Sequence, residues 1–197
     1  MSNIENEKKE SVYYVAFIDI LYAVVLNRAL LEISDILDLP NQFYQNIISF
    51  PFLLFVISIG VVLRDWISYH RDISVRRHSN PFRFFIDILI LFFFFQMARS
   101  YKNASNFFLM TMFYFAAVFI WTISEYSEYK KETRYIKDMR RNLLWNFVYT
   151  ALFFLTHIVI LYTLLPLSPW VVALVSFLIY LVLTIIRGIS QRQSLQN

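Results

Sequence analysis

The feature that most constrains this chain is a series of six long apolar stretches separated by short polar connections. A helix needs about twenty largely apolar residues to cross a lipid bilayer, and all six stretches reach or approach that length. Several are apolar nearly all round, whereas the helices of a soluble domain keep one polar face. The stretches are residues 12–33, 47–63, 82–97, 107–124, 143–165 and 170–186.

Composition supports the same interpretation. With 58% hydrophobic and 16% charged residues, a chain of 197 residues carries more apolar surface than one soluble core of that size can hide. We therefore predict an all-α fold: one transmembrane bundle of six helices over residues 1–197, with short polar tails at 1–11 and 188–197. No apolar region with a small-residue cleavage site follows the polar first ten residues, so the first stretch is predicted to be a retained span. The expected location is within a membrane.

Basic side chains concentrate in alternate connections, which predicts the topology. The two terminal regions and the connections after the second and fourth stretches hold fifteen of the eighteen Lys and Arg residues. The other three connections hold only Arg99 and Lys102. By the positive-inside rule, both termini and both basic connections are cytoplasmic. Because the charges lie between apolar stretches, and not along one soluble face, we predict no nucleic-acid partner. The fifteen are Lys8, Lys9, Arg64, Arg71, Arg76, Arg77, Arg83, Lys130, Lys131, Arg134, Lys137, Arg140, Arg141, Arg187 and Arg192.

Residue types that are rare or absent exclude several classes of function. The chain has two glycines, which are too few for a dinucleotide-binding loop, a phosphate-binding loop or a carbonyl-lined ion filter. It has no cysteine, which excludes thiolate chemistry. His70 and His78 lack a carboxylate at ligand spacing, and His157 is alone in its stretch. No nucleophile and base are paired, so we predict no enzyme activity, no metal and no cofactor.

The first apolar stretch is the most polar of the six. Charged groups within a membrane are costly unless they face protein or water, so this helix is expected to lie inside the protein. At 100° per residue, Val24, Asn27 and Leu31 form one stripe, while Arg28 and Glu32 lie four apart and can pair. Two interpretations remain open: a stripe that lines a pore, or a central helix whose polar groups bind its neighbours.

Two further features stand out near the ends of the first three stretches. Residues 17–20 and 85–88 both read Phe-Ile-Asp-Ile, a recurrence that chance produces easily in a chain rich in Phe and Ile, and the acidic residues Asp19 and Asp87 matter more than the repeat itself. Trp66 and His70 follow the second stretch. The ordinary interpretation of these two residues is an interfacial anchor and a surface group at a helix end.

Residues 16–33 resemble the first span of the lysosomal and prokaryotic potassium-channel family that carries an Arg-x-x-x-Phe-Ser-Asp signature. In that family the span opens with Phe and Asp and closes with Leu-Glu-Leu or Leu-Glu-Ile. The corresponding residues of this chain have the same spacing, without a gap. The second stretch resembles the family's Ser-x7-Trp-x3-His pattern. The matching residues are Phe17, Asp19, Leu31, Glu32, Ser58, Trp66 and His70.

The sequence departs from the family pattern at three positions. Tyr13 stands where the signature has Arg, and Ile18 stands where it has Ser. Arg28 follows Asn27, which occupies the pore-facing position usually held by Thr. A fixed positive charge near a narrow pore raises the barrier to cations, unless Glu32 neutralises it away from the axis.

The resemblance implies a homotetramer in a prokaryotic cell membrane that conducts potassium or another monovalent cation passively through the lipid bilayer. The first helices would line the pore, with Val24 and Leu31 as apolar constrictions and Asn27 as the polar ring between them. Asp19 would hold helices together at the cytoplasmic end. The alternatives are a proton-coupled secondary transporter that uses Asp19 or Asp87, and a non-conducting structural or sensory protein of the same fold in which Arg28 plugs the pore.

Overall fold

The computed structural model describes residues 2–37, 50–75, 81–100, 102–129, 133–162 and 169–196. Within these ranges the chain forms six helices and no strand, which confirms the predicted all-helical class. The helices extend past the apolar stretches, so the polar tails are largely helical continuations of α1 and α6. They are α1 (Ser2–Leu37), α2 (Phe50–Val75), α3 (Pro81–Arg99), α4 (Ala104–Tyr129), α5 (Thr133–Tyr162) and α6 (Pro169–Gln196).

Three segments of the described chain are long and apolar enough to cross a membrane, by length and composition. They are Pro81–Arg99, Ala104–Glu128 and Met139–Tyr162, and a shorter apolar segment covers Leu174–Ile189. These segments indicate an integral membrane protein. That α1, α2 and α6 also cross the bilayer stays a prediction.

The helices pack as two compact units, Met1–Lys102 and Asn103–Asn197. The prediction that they form one domain stays a prediction. In the first unit, α1 and α2 both pack against α3 and against each other. Its buried apolar side chains come from all three helices and include Ile18, Leu54, Val62, Ile86 and Phe94. Burial of these side chains is the main force that holds the three helices together where water surrounds them, and dispersion takes over within lipid.

The second unit is built around a cluster of aromatic rings. The rings of Phe115 on α4 and Phe153 on α5 stack with centroids 5.2 Å apart and planes 5° from parallel. Tyr149 on α5 lies edge-on to Tyr180 on α6, with centroids 5.1 Å apart. Such ring pairs contribute about 1 kcal/mol each beyond the area they bury. The aromatic residues of three helices therefore form one core.

The end of α3 and the start of α4 are each stabilised by local hydrogen bonds. The backbone N–H of Ser100 donates to the carbonyl oxygens of Gln96 and Met97 at 3.0 and 3.1 Å, which closes the last turn of α3. Asn103 precedes α4, and its Oδ1 accepts a bond from the backbone N–H of Asn106 at 3.1 Å. Asparagine favours this capping position because its side chain satisfies an N–H that the helix leaves unpaired. The cap explains why α4 begins at Ala104.

Candidate functional site

Helix α1 buries one face against its own unit. Ile18, Tyr22 and Ala29 are 0%, 6% and 2% exposed. Their spacings of four and seven residues place them on one side of a helix. Packing against α2 and α3 covers this side of α1. The rotation of α1 about its own axis is therefore defined within the first unit.

The stripe of Val24, Asn27 and Leu31 lies on the opposite face. Val24 and Leu31 are 59% and 50% exposed, and Asn27 is also exposed. Asn27 follows the buried Ile18 by nine residues, and nine steps of about 100° turn the helix by two and a half circles. The stripe therefore points away from α2 and α3, with an amide group between two apolar side chains.

Two reciprocal hydrogen bonds join α1 to α2. The indole Nε1–H of Trp66 on α2 donates to Oδ1 of Asp19 on α1 at 3.1 Å. The hydroxyl of Tyr22 on α1 donates to Oδ2 of Asp65 on α2, also at 3.1 Å. Each helix thus supplies one carboxylate and one aromatic donor. Hydrogen bonds to a charged acceptor are stronger than neutral ones, so this pair of contacts resists rotation of α1.

The sequence predicted roles for Asp19 and Trp66, but it assigned no role to Tyr22 or Asp65. A signal was available for both. Tyr22 follows Asp19 by three residues, which is one helical turn, and Asp65 is the immediate neighbour of Trp66. Two helices that meet at one pair of positions also bring the adjacent turns together.

The structure distributes the other predicted site residues between buried and exposed positions. Ser58 on α2 is fully buried, while Phe17 is 44% exposed, with its ring centroid 5.6 Å from that of Phe84. Arg28 is exposed on α1 next to the stripe. The side chains of Glu32 and His70 lie outside the described part of the structure, so the proposed pairing of Arg28 with Glu32 stays a prediction.

Asp87 lies inside the first unit. It is 6% exposed on α3, and Arg83, one helical turn earlier on the same helix, is 1% exposed. Sequence reasoning assigned Arg83 to a basic connection, but it belongs to the first turn of α3. Its side chain is enclosed by the helices, so it does not contribute an exposed charge to that connection.

The second unit contains a row of polar contacts between α5 and α6 that sequence reasoning missed. The row consists of Arg187 Nη2 to Asn142 Oδ1 at 3.0 Å, Tyr149 Oη to Thr184 Oγ1 at 3.3 Å, and Thr156 Oγ1 to Ser176 Oγ at 2.8 Å. The three α5 residues are spaced by seven, which keeps them on one side of the helix. That heptad spacing was the available sequence signal.

Two further polar contacts bind α5 to α4. The amide of Asn146 donates to Thr122 Oγ1 at 2.8 Å. His157, which the sequence left alone in its stretch, is 9% exposed, and its Nδ1 lies 3.1 Å from the carbonyl oxygen of Ser105. In the part of the chain that the structure describes, no three potential metal-ligating side chains come together. These polar residues serve packing between helices.

Over the residues that the structure describes, the fold and the site define a class: an all-helical protein with three helices suited to a membrane and an α1 helix that exposes a partly polar stripe. Comparison with protein-family models, curated proteins and solved structures found no match for this chain. The resemblance of residues 16–33 and 58–70 to the potassium-channel family therefore stays a prediction.

Proposed function

We propose that this chain forms a homotetrameric, passive cation channel in a prokaryotic cell membrane, with α1 of each copy lining the pore. One observation carries the proposal. The stripe of Val24, Asn27 and Leu31 faces away from the unit that holds α1. In this proposal all six helices cross the bilayer, both termini are cytoplasmic, and potassium is the conducted ion.

The composition of the exposed stripe supports an aqueous axis over lipid. Asn27 lies in the middle of the stripe and Arg28 is exposed beside it. An amide or guanidinium in the hydrocarbon region loses its hydrogen bonds to water and is strongly disfavoured there. A face that carries both groups is better accommodated by water or by another protein surface.

Closed symmetry of identical copies would convert the stripe into rings around a shared axis. Val24 and Leu31 are seven residues apart, so their rings would be separated by about 10 Å, with the ring of Asn27 between them. Apolar rings close a pore by excluding water, and amide oxygens replace part of the hydration shell of a cation. This arrangement requires no carbonyl-lined filter, in keeping with a chain of two glycines.

The experiment is conductance of the purified protein in planar bilayers. We expect a cation current that increases severalfold in Leu31→Ala, because the apolar barrier is smaller, and a changed ion selectivity in Asn27→Ala. Leu178→Ala is the matched control, because Leu178 is 50% exposed on α6 and is predicted to face lipid. Absence of current, or a current that neither stripe variant alters, would contradict the proposal.

A second candidate is a proton-coupled transporter, which the burial of Asp87 favours. A carboxylate enclosed by helices is the kind of group that binds and releases a proton during coupled transport. Proton flux into liposomes separates the candidates, because a channel cannot move solute uphill. Uphill flux of solute that is driven by a pH gradient and abolished in Asp87→Asn would support the transporter.

A third candidate is a non-conducting protein of the same fold. The exposed Arg28 favours it, because four guanidinium groups close to a narrow axis would exclude cations. Arg28→Thr removes this charge. If the parent carries no current and Arg28→Thr does, the non-conducting candidate is supported.

A further inference from the structure

The hairpin of α4 and α5 carries a surface that joins a basic end to an apolar stripe. On α5, Lys137, Arg140, Leu144 and Phe147 follow one another at intervals of three and four residues. Such intervals place the four side chains on one face of the helix. All four are exposed on the single chain, with Leu144 at 62% and Phe147 at 55%. We call this surface the amphiphilic face of α5.

The position of the basic end coincides with the edge of an apolar segment. Met139–Tyr162 is apolar enough to cross a membrane, and Lys137 precedes it while Arg140 is its second residue. Helix α5 continues without interruption from Thr133 through this edge. The charged side chains therefore lie at the depth of lipid headgroups when the apolar segment occupies the hydrocarbon region.

A hydrogen bond from α5 to α4 orients the guanidinium of Arg140. Its Nε and Nη2 both lie 3.4 Å from the hydroxyl oxygen of Tyr126, in the last turn of α4. Tyr126 is itself half-buried near the end of an apolar segment, as is usual for interfacial tyrosines. Arginine has five N–H donors in a planar fork that matches a phosphate group. Lys137, one turn earlier, adds a second positive charge on the same face.

The surrounding segment is also positively charged. Residues 126–141 contain six basic and three acidic residues, which leaves three net positive charges. Beyond the charges, the amphiphilic face of α5 continues with the apolar side chains of Leu144 and Phe147. The ring of Phe147 contacts that of Phe119 on α4, with centroids 5.9 Å apart. A free phosphate would use only the charged end. An amphiphile with an anionic head and an acyl chain would use the charged end and the stripe together.

We propose that the amphiphilic face of α5 binds an anionic phospholipid, with the phosphate at Lys137 and Arg140 and an acyl chain along Leu144 and Phe147. Opposite charge attracts the headgroup, and the contact of Arg140 with Tyr126 reduces the loss of side-chain entropy on binding. The acyl chain covers apolar surface that the single chain exposes. This binding is independent of whether α1 lines a pore.

The test uses the full-length protein in neutral detergent, with bound lipid counted by native mass spectrometry. Phosphatidylglycerol and phosphatidylcholine of equal chain length are the two probes. We expect phosphatidylglycerol to bind about twenty-five times more tightly, because two basic side chains each contribute a factor of about five. Lys137→Gln with Arg140→Gln should remove this preference. Arg99→Gln with Lys102→Gln is the matched control, because these exposed basic residues precede α4, and it should keep the preference.

Two further arms identify the ligand and guard against misfolding. Inorganic phosphate should not displace bound phosphatidylglycerol. Phe147→Ala should weaken the binding of phosphatidylglycerol severalfold. Tyr126→Phe keeps both charges and loses only the orienting hydroxyl, so it should reduce the preference partially even if the double variant fails to fold. Equal binding of both lipids by the parent, displacement by inorganic phosphate, or equal losses in the two double variants would overturn the proposal.

Discussion

At the scale of single residues, the contacts between α1 and α2 depend on two carboxylates that each accept a bond from an aromatic donor. Asp19 accepts from Trp66, and Asp65 accepts from Tyr22. Removing either donor leaves a half-buried carboxylate with one hydrogen bond fewer. The reciprocal arrangement means that neither helix can rotate without breaking both bonds.

Tyr22→Phe tests this contact with the smallest change, because only the hydroxyl is lost. We expect the free energy of unfolding to fall by about 1 kcal/mol, which is the usual net value of such a bond. The measurement is denaturation by sodium dodecyl sulfate in mixed micelles, followed by tryptophan fluorescence. Tyr162→Phe serves as the control, because Tyr162 is 73% exposed at the end of α5. Equal effects of the two substitutions would show that the bond with Asp65 contributes nothing.

At the scale of secondary-structure elements, α5 contacts α6 through hydroxyl groups that can instead donate to carbonyl oxygens of their own helices. Thr156 Oγ1 lies 2.9 Å from the carbonyl oxygen of Leu152, and Ser176 Oγ lies 2.8 Å from that of Val172. Each hydroxyl therefore has a partner on its own helix before the helices meet. The net gain from the contact between Thr156 and Ser176 is limited for that reason, and its main effect is to define the register of the two helices.

A double-mutant cycle on Thr156→Val and Ser176→Ala measures this contact. We expect a coupling energy of about 0.6 kcal/mol, as is typical of hydrogen bonds between helices in a membrane. Thr150→Val is the matched control, because Thr150 Oγ1 donates at 2.8 Å to the carbonyl oxygen of Asn146 on its own helix. Its cycle with Ser176→Ala should give no coupling. Additive effects of Thr156→Val and Ser176→Ala would contradict the assigned register.

At the scale of the whole molecule, function in our proposal depends on contacts between copies of the chain. The exposed stripe of α1 has no role in a pore unless several copies surround one axis. The absence of cysteine makes the assembly easy to probe, because every introduced thiol is the only one in the chain.

We predict that Asn27→Cys in membranes reacts with a charged, water-soluble thiol reagent and forms disulfide-linked dimers on mild oxidation. Val182→Cys is the control, because Val182 is 53% exposed on α6 and is expected to face lipid, where a thiol is shielded from a charged reagent. Gel mobility and mass measurement detect both outcomes. If Asn27→Cys were as unreactive as Val182→Cys and remained monomeric, the pore and the tetramer would both be excluded.

The sequence alone determined the helical class and the approximate position of the six helices, but α1, α2, α5 and α6 each extend ten to twelve residues beyond one end of the predicted stretch. Long apolar stretches leave the backbone no alternative within lipid, because every N–H and C=O must be satisfied inside the segment, and that requirement is local. It also identified Asp19 and Trp66 as residues of interest. The spacing of Val24, Asn27 and Leu31 predicted one stripe, since side chains three and four residues apart share a face of a helix.

The tertiary structure alone decided which face of each helix is covered. It placed the α1 stripe opposite Ile18 and Tyr22, enclosed Arg83 within the first unit, and joined Tyr22 to Asp65. Helical periodicity states which side chains share a face, but it does not state which face meets a neighbouring helix. That choice depends on the packing of side chains from residues far apart in the chain, and it is made only when the helices assemble.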